Sequence, residues 1–420
     1  MWIALASVAA TLVVVLIVAN LGTSEKKIEQ QLDRQYDTDD IQFRRGLGVL
    51  LGPPILEGNQ VETLLNGDRI FPAMLAAIRS ARRTITFETF IYWSGSIGRE
   101  FAEALIERAQ AGVKVHLLLD WGGSIKMAQR FLDQMRDGGV EVERYHKPHW
   151  SHLPRMNNRT HRKLLVIDGE LGFTGGVGIA DQWRGNAQDP EHWRDTHFRV
   201  SGPVVAQMQA VFIDNWIKAT GRVLHGDAYF PALHRRGDTP AQMFSSSPTG
   251  GSESMHLMYL MAVTAARESL HLANSYFVPD RLAVRALVDA ARRGVKVRIV
   301  VPGRHIDSPV VRRASRALWG ELLAAGVEIA EFQPTMFHCK VLVVDGLLVS
   351  VGSTNFDNRS FRLNDEANLN LIDTRLAREL IDVFEQDWQR ARPLSLAQWQ
   401  HRPWPEKLLE RLAALLRSQL

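Results

Sequence analysis

Residues 160–176 read THRKLLVIDGELGFTGG, and residues 337–353 read FHCKVLVVDGLLVSVGS. Each stretch carries a histidine and a lysine two residues apart, His161 with Lys163 and His338 with Lys340. In an extended chain, residues two apart project from one face. Each pair runs into a short apolar segment, LLVI or VLVV, with the composition of a buried strand. Each segment stops at Asp-Gly, Asp168-Gly169 or Asp345-Gly346, a hairpin turn signal. A second strand then ends on small residues, Gly175-Gly176 or Gly352-Ser353. An imidazole, an ammonium and a small-residue turn are therefore expected at one end of a hairpin, twice. Cys339 alternates with the pair and is expected on the opposite face, as a small buried packing residue. The chain has 10 lysines against 40 arginines, so a lysine at fixed spacing is informative. At these frequencies a chance His-x-Lys-x4-Asp is expected about 0.02 times per chain.

Working outward, the surroundings of the two stretches also match. ARRTITFETFIYW (81–93) and AGVKVHLLLD (111–120) correspond to ARESLHLANSYFV (266–278) and RGVKVRIVVP (293–302). Each half reads strand, helix, strand, and GGVEVERY (138–145) answers AGVEIAEF (325–332). The Val-Lys-Val pairs are offset by 182 residues and the His-x-Lys pairs by 177, as a duplication requires. Two α/β domains are expected, at 50–230 and 255–400. The stretch between them, 231–254, contains RRGDTPAQMFSSSPTGGSE and is expected to be a linker.

Composition bounds the rest. The 420 residues are 45% hydrophobic and 23% charged, which excludes wholesale disorder. A single cysteine excludes an intramolecular disulfide framework and a cysteine-rich zinc site. The net charge of +4 leans toward anionic partners. Met1 to Ser24 carries no charged side chain, and Trp2 to Leu21 is long enough for a bilayer core of about 30 Å. Nothing basic precedes this run, so a retained anchor over 1–24 is expected rather than a cleaved signal peptide. Lys26, Lys27 and Arg34 follow it, which puts the bulk of the chain in the cytoplasm. At the other end, leucines 408, 409, 412, 415 and 416 recur at helical spacing, giving an amphipathic helix over 401–420. That pattern fits a membrane-surface helix and fits packing onto the second domain. His146, His149 and His152 match no common metal spacing and read as a loop at the site entrance.

Two histidines can serve as nucleophile and as general acid. Two lysines and the backbone N–H groups of small-residue turns can hold phosphate oxygens and balance charge in the transition state. Together these groups suit substitution at a phosphodiester through a phosphohistidine, with no metal and no cofactor.

The paired blocks resemble the phospholipase D superfamily, and the text around the second resembles bacterial cardiolipin synthases. The stretches that carry this are SYFVPD (275–280), HIDSPVVRRASRALWGELLAAGVEI (305–329), FHCKVLVVDG (337–346) and GSTNFDNRSFRLNDEANL (352–369). The resemblance implies two tandem phospholipase D-like α/β domains, each a mixed sheet flanked by helices, behind one N-terminal transmembrane helix. It implies a catalytic set of His161, Lys163, Asp168, His338, Lys340 and Asp345, although Asp before Gly is a turn former in its own right, so fixing the hairpin is an equal expectation for Asp168 and Asp345. It implies substrate-side roles for Gly176, Ser353 and Asn355. Glu366 matches the family position for a carboxylate that orients a histidine, and Asp195 is the first-half candidate for the same role. Family blocks end in Gly-Gly-x-Asn, whereas the first block here reads Gly175-Gly176-Val177-Gly178, so one phosphate-side amide is missing.

The implied partners are membrane phospholipids, phosphatidylglycerol first and phosphatidylethanolamine as a further donor. No nucleic acid is expected. The implied activity is a cardiolipin synthase-like phosphatidyl transfer through a phosphatidyl-histidine. A phospholipase D using water as acceptor is the nearest rival. A membrane-tethered nuclease would need aromatic residues interleaved with basic stripes, which the sequence lacks.

Overall fold

The computed structural model of the chain describes residues 28–145, 157–248 and 253–420, together with Trp2, Ser7 and Thr11. The first half contributes β1 (Leu56–Leu65), β2 (Thr84–Thr89), β3 (Lys114–Asp120), β4 (Glu141–Tyr145), β5 (Arg159–Thr160), β6 (Leu164–Ile167), β7 (Leu171–Gly175) and β8 (Thr196–Ser201). The second half begins with β9 (Thr239–Ser246), β10 (Ser269–Asn274), β11 (Phe277–Val278), β12 (Lys296–Pro302) and β13 (Glu328–Phe332). It continues with β14 (Lys340–Val344), β15 (Leu348–Gly352), β16 (Phe356–Asp357), β17 (Asn364–Ile372) and β18 (Ala391–Pro393).

One mixed sheet runs β4-β3-β2-β6-β7-β8-β1-β9-β17-β15-β14-β10-β12-β13-β18. Apart from β18 it reads the same from both ends in repeat terms, with β2 answering β10, β6 answering β14 and β8 answering β17. In each half the outer strands pair in parallel across helical crossovers, and the central hairpin pairs antiparallel. The hairpin turns are the Asp-Gly steps. Asp168 and Gly169 take φ of 53° and 68°, and Asp345 and Gly346 take 53° and 58°, the paired positive φ of a type I′ turn.

The halves join where β1 meets β9. This corrects the expected linker, because Thr239–Ser246 is a strand held on both edges, by β1 and by β17. Ala241, Met243 and Phe244 are buried, and Gln242 accepts a hydrogen bond from Asn370. Pro240 lies just beyond the ladder with β17, where its missing N–H leaves no gap. Serine and proline content suggested a loop, but the partners that bury this strand lie more than a hundred residues away.

Helices cover both faces. In the first half Asn66–Ser80, Ser96–Gln110 and Gln129–Asp137 pack over Ile85, Phe87, Leu117 and Phe173. In the second half Ser254–Ala265, Arg281–Arg292 and Trp319–Ala324 pack over Leu270, Ile299 and Leu342. On the opposite face a single core mixes Val61, Phe198 and Met208 with Val343, Leu369 and Leu380. Burying each such side chain contributes about 1.5–3 kcal/mol, so the halves are fastened into one body. Among the described residues no helix is long and apolar enough to cross a membrane. The expected anchor over 1–24 falls outside the described residues but for Trp2, Ser7 and Thr11, and His146, His149 and His152 fall outside entirely.

Candidate active site

The segment before each histidine lies against the other half of the chain. β5 pairs in parallel with the start of β17, and the His161 N–H donates to the Asp365 carbonyl at 2.8 Å. In mirror fashion Phe337 bridges Arg194, and the His338 N–H donates to the Arg194 carbonyl at 2.8 Å. The residue after each of those carbonyls is an acid. His161 Nδ1 therefore meets Glu366 Oε1 at 2.9 Å, and His338 Nδ1 meets Asp195 Oδ2 at 2.8 Å. The pairs are crossed, each histidine being oriented by a carboxylate from the opposite repeat. Pairing at Nδ1 places the proton there and leaves Nε2 as the acceptor nitrogen of each ring, which at His338 lies 3.3 Å from Lys340 Nζ.

The lysines stand beside the rings. Lys163 Nζ donates to the His161 carbonyl at 2.6 Å. Lys340 Nζ donates to the His338 carbonyl at 2.9 Å and to Ser275 Oγ at 2.7 Å, and lies 3.2 Å from His338 Nδ1. Ser275 in turn donates to Asn355 Oδ1 at 2.7 Å, so Asn355 holds the lysine through a serine. The first half has Phe90 where the second has Ser275. The Phe90 ring lies edge-on to His161 at 5.2 Å and 5.7 Å from Lys163 Nζ. His161, Lys163, His338 and Lys340 are all buried, and Cys339 points away from them into the core.

The small residues have specific tasks. A Cβ on Gly176 would fall 2.1 Å from Asp195 Oδ1, so glycine is what lets that carboxylate reach His338. Ser353, its counterpart, donates its hydroxyl to Glu366 Oε2. Gly178 stands where the second block has Asn355, and a Cβ there would meet Ile91 and the Trp183 ring at 2.9 and 3.2 Å. The Trp183 ring thus lies against the place of the missing amide. Trp183 Nε1 donates to Asp195 Oδ2 at 2.8 Å, and its ring stands edge-on to His338 at 5.3 Å. Trp183, Ser275 and Phe90 were not found by sequence reasoning. Trp183 belongs to no repeated block, and the Phe90-for-Ser275 exchange was visible only as a mismatch between the repeats.

Electrostatics follow from burying two cations together. Burial, reinforced by Lys340, pushes the Lys163 ammonium down to about 7. Burial also lowers Lys340. Burial and the flanking lysines push His161 well below the usual imidazole range, and burial with Lys340 takes His338 to about 4. The two carboxyls diverge. Burial opposes the charge of Asp195, yet His338, Lys340 and the Trp183 N–H together hold it below the ordinary aspartate value. At Glu366 burial prevails over Lys163 and the Ser353 hydroxyl and raises the carboxyl. A pocket of neutral imidazoles and crowded ammonium groups is completed by an anion.

Asp168 and Asp345 do not join this set, so of their two expected roles the geometry favours fixing the hairpin over catalytic contact. Each sits at the far end of its strand, five residues or about 16 Å from its lysine. Asp168 accepts from the backbone N–H groups of Arg82, Arg83 and Thr84 at 2.9, 2.7 and 2.9 Å. Asp345 accepts from Arg267, Glu268 and Ser269 at 3.0, 2.7 and 3.0 Å. They latch each hairpin to the strand beside it. The short side chain that tolerates positive φ is also well placed to satisfy those N–H groups. Among the described residues no three His, Cys, Asp or Glu side chains are gathered as a metal site.

A family profile described as "Cardiolipin synthase, PLD-like domain" matches residues 74–216 and 259–388. The chain is 35% identical over 366 residues to the cardiolipin synthase of Geobacillus thermodenitrificans, covering 86% of this chain and 73% of that one. It is 36% identical over 343 residues to cardiolipin synthase A of Pseudomonas fluorescens, covering 81% and 71%. Among solved structures, phosphatidylserine synthase of Haemophilus influenzae superposes with a TM-score of 0.69 over 90% of this chain and all of that one. At 15% identity that likeness is one of fold.

Proposed function

The chain belongs to the PLD-like cardiolipin synthase family, and from that premise we propose that it transfers a phosphatidyl group between phospholipids, forming cardiolipin from phosphatidylglycerol. One observation carries the reading: two histidines and two lysines share a buried site, each histidine held at Nδ1 by the other repeat's carboxylate. His161 is assigned as the nucleophile. Glu366, its carboxyl raised by burial, is the weaker support for a positive His161. The ionised Asp195 is the better partner for the protonated His338 that the first step requires, against the burial that favours its neutral form. His161 Nε2 forms a bond to phosphorus as the P–O bond to the departing glycerol breaks. His338, having taken up a proton on Nε2 from solvent when the phosphate anion binds beside it, gives that proton to the departing oxygen. The hydroxyl of a second phosphatidylglycerol then attacks phosphorus. His338 takes its proton, the P–N bond breaks, and His161 is released. Lys163 and Lys340 balance the charge on the phosphoryl oxygens at both steps.

The two repeats, 50–230 and 255–400, each supply half of this site. Residues 1–24 serve as a single-pass anchor, with the catalytic part on the cytoplasmic side where Lys26, Lys27 and Arg34 lie. The test is incubation of the purified chain in detergent with labelled phosphatidylglycerol, with and without phosphatidylethanolamine. Cardiolipin and glycerol are the expected products. Phosphatidic acid alone would replace the synthase with a hydrolase, and nucleic-acid cleavage without lipid conversion would sink both.

A further inference from the structure

The helix Trp404–Ala414 packs inside out. Glu410 and Ala413 are its buried residues. Glu410 is clamped by Arg402 at 2.7 Å and by Arg316 at 3.0 Å, and Ala413 sits among Val278, Val311 and Ala314. The apolar stripe faces solvent, with Trp404, Leu408, Leu409, Leu412, Leu415 and Leu416 between 45% and 78% exposed. A soluble monomer would turn those leucines inward. Here a buried ion-pair network fixes the opposite orientation, so the outward stripe is held by design of the contacts rather than by chance.

We infer that this stripe rests on the bilayer surface and seats the active-site mouth on the lipid. The inference rests on the phospholipid reading above. Three features select a lipid surface as the occupant. First, the tail is tied to the rim of the site. Arg359 donates its N–H to the Leu420 carbonyl at 3.0 Å and its guanidinium to the Asn157 carbonyl at 2.9 Å. Asn157 lies four residues before His161, and the Arg359 charge is among those that lower that histidine. Second, a relay of contacts links the tail to Ile28, which in sequence follows the apolar N-terminal run. The Ile28 N–H donates to Glu253, Glu253 pairs with Arg362 at 2.6 Å, Arg362 donates to Asn358 at 2.9 Å, and Asn358 donates to the Arg417 carbonyl at 3.1 Å. Third, with Glu410 neutralised inside, Lys407, Arg411 and Arg417 outnumber Glu406, a balance suited to anionic headgroups.

The test places a spin label at Leu412→Cys in the full chain, in phosphatidylglycerol nanodiscs. Cys339 is buried, its thiol pushed up to about 12 by burial, and does not compete for the label. Contact with lipid predicts high collision with oxygen and low collision with a water-soluble nickel chelate. High nickel access would overturn the inference, and low access to both would overturn it in favour of a second protein copy on the stripe. The measurement needs no turnover, so lipid contact without cardiolipin formation would reject the proposed reaction and leave this surface standing. As a second readout, Leu412→Glu should lower the ratio of bilayer to detergent-dispersed turnover by about tenfold. An unchanged ratio counts against the inference.

Discussion

Gly176 and Ser353 hold equivalent places, and each is matched to the acid it faces. Ser353 donates to the longer Glu366, while Gly176 vacates the space that the shorter Asp195 occupies. Gly176→Ala should therefore displace Asp195, free the His338 ring and lower kcat by about 10–100-fold, as loss of an orienting partner does. Circular dichroism and kcat measured together check this, because an unfolded variant would lose both. The histidines and lysines were legible in the sequence because duplication at constant spacing separates them from ordinary polar residues. Asp195 and Glu366 were legible as candidates. Their crossing was not, because it depends on which segments lie side by side after folding, and nothing in either repeat specifies the partner.

At the scale of the element, the Asp-Gly hairpins explain why two aspartates travelled with the motif without reaching the site. Asp168→Ala removes the acceptor for three backbone N–H groups, at a cost of about 1–3 kcal/mol. The expected result is a lower melting temperature with kcat unchanged in the folded fraction. A collapse of kcat at unchanged stability would return Asp168 to the catalytic set. Below β5 lies a second buried feature that the sequence did not disclose. Glu88 accepts from Asn215 at 2.7 Å and from Thr160, the residue before His161. Burial, only partly offset by Arg162, raises its carboxyl from 4.5 to about 7. A raised carboxyl stabilises the fold fully below its unfolded value and loses that contribution as pH climbs through about 7. The difference corresponds to about 3 kcal/mol. The Glu88 contribution should therefore be lost between about pH 4.5 and pH 7, so Glu88→Gln should show a more positive slope of stability with pH than wild type across that range in denaturant titrations. An identical pH slope in the variant would show that Glu88 is ionised throughout. β9 teaches the complementary lesson. Its residues look like linker because a strand paired on both edges draws its stability from partners distant in sequence.

For the whole molecule, the duplication predicted two domains, and the structure shows two repeats sharing one sheet, the core on one of its faces and one candidate site. Arg194 from the first repeat forms a buried bidentate pair with Asp387 from the second at 3.0 and 2.8 Å, directly beside Asp195. Crossing of the carboxylates makes each half incomplete, since neither histidine is oriented without the other repeat. The pseudo-symmetry is then broken by Phe90 against Ser275, Gly176 against Ser353 and Asp195 against Glu366. On the proposed reading, the contrast between Asp195 and Glu366 makes His161 the nucleophile. Rapid denaturing quench of the full chain with phosphatidylglycerol, followed by peptide mass spectrometry, tests this most directly. The account predicts a phosphatidyl adduct on the peptide containing His161, absent in His161→Asn. An adduct confined to the His338 peptide, or turnover without any covalent adduct, would contradict it.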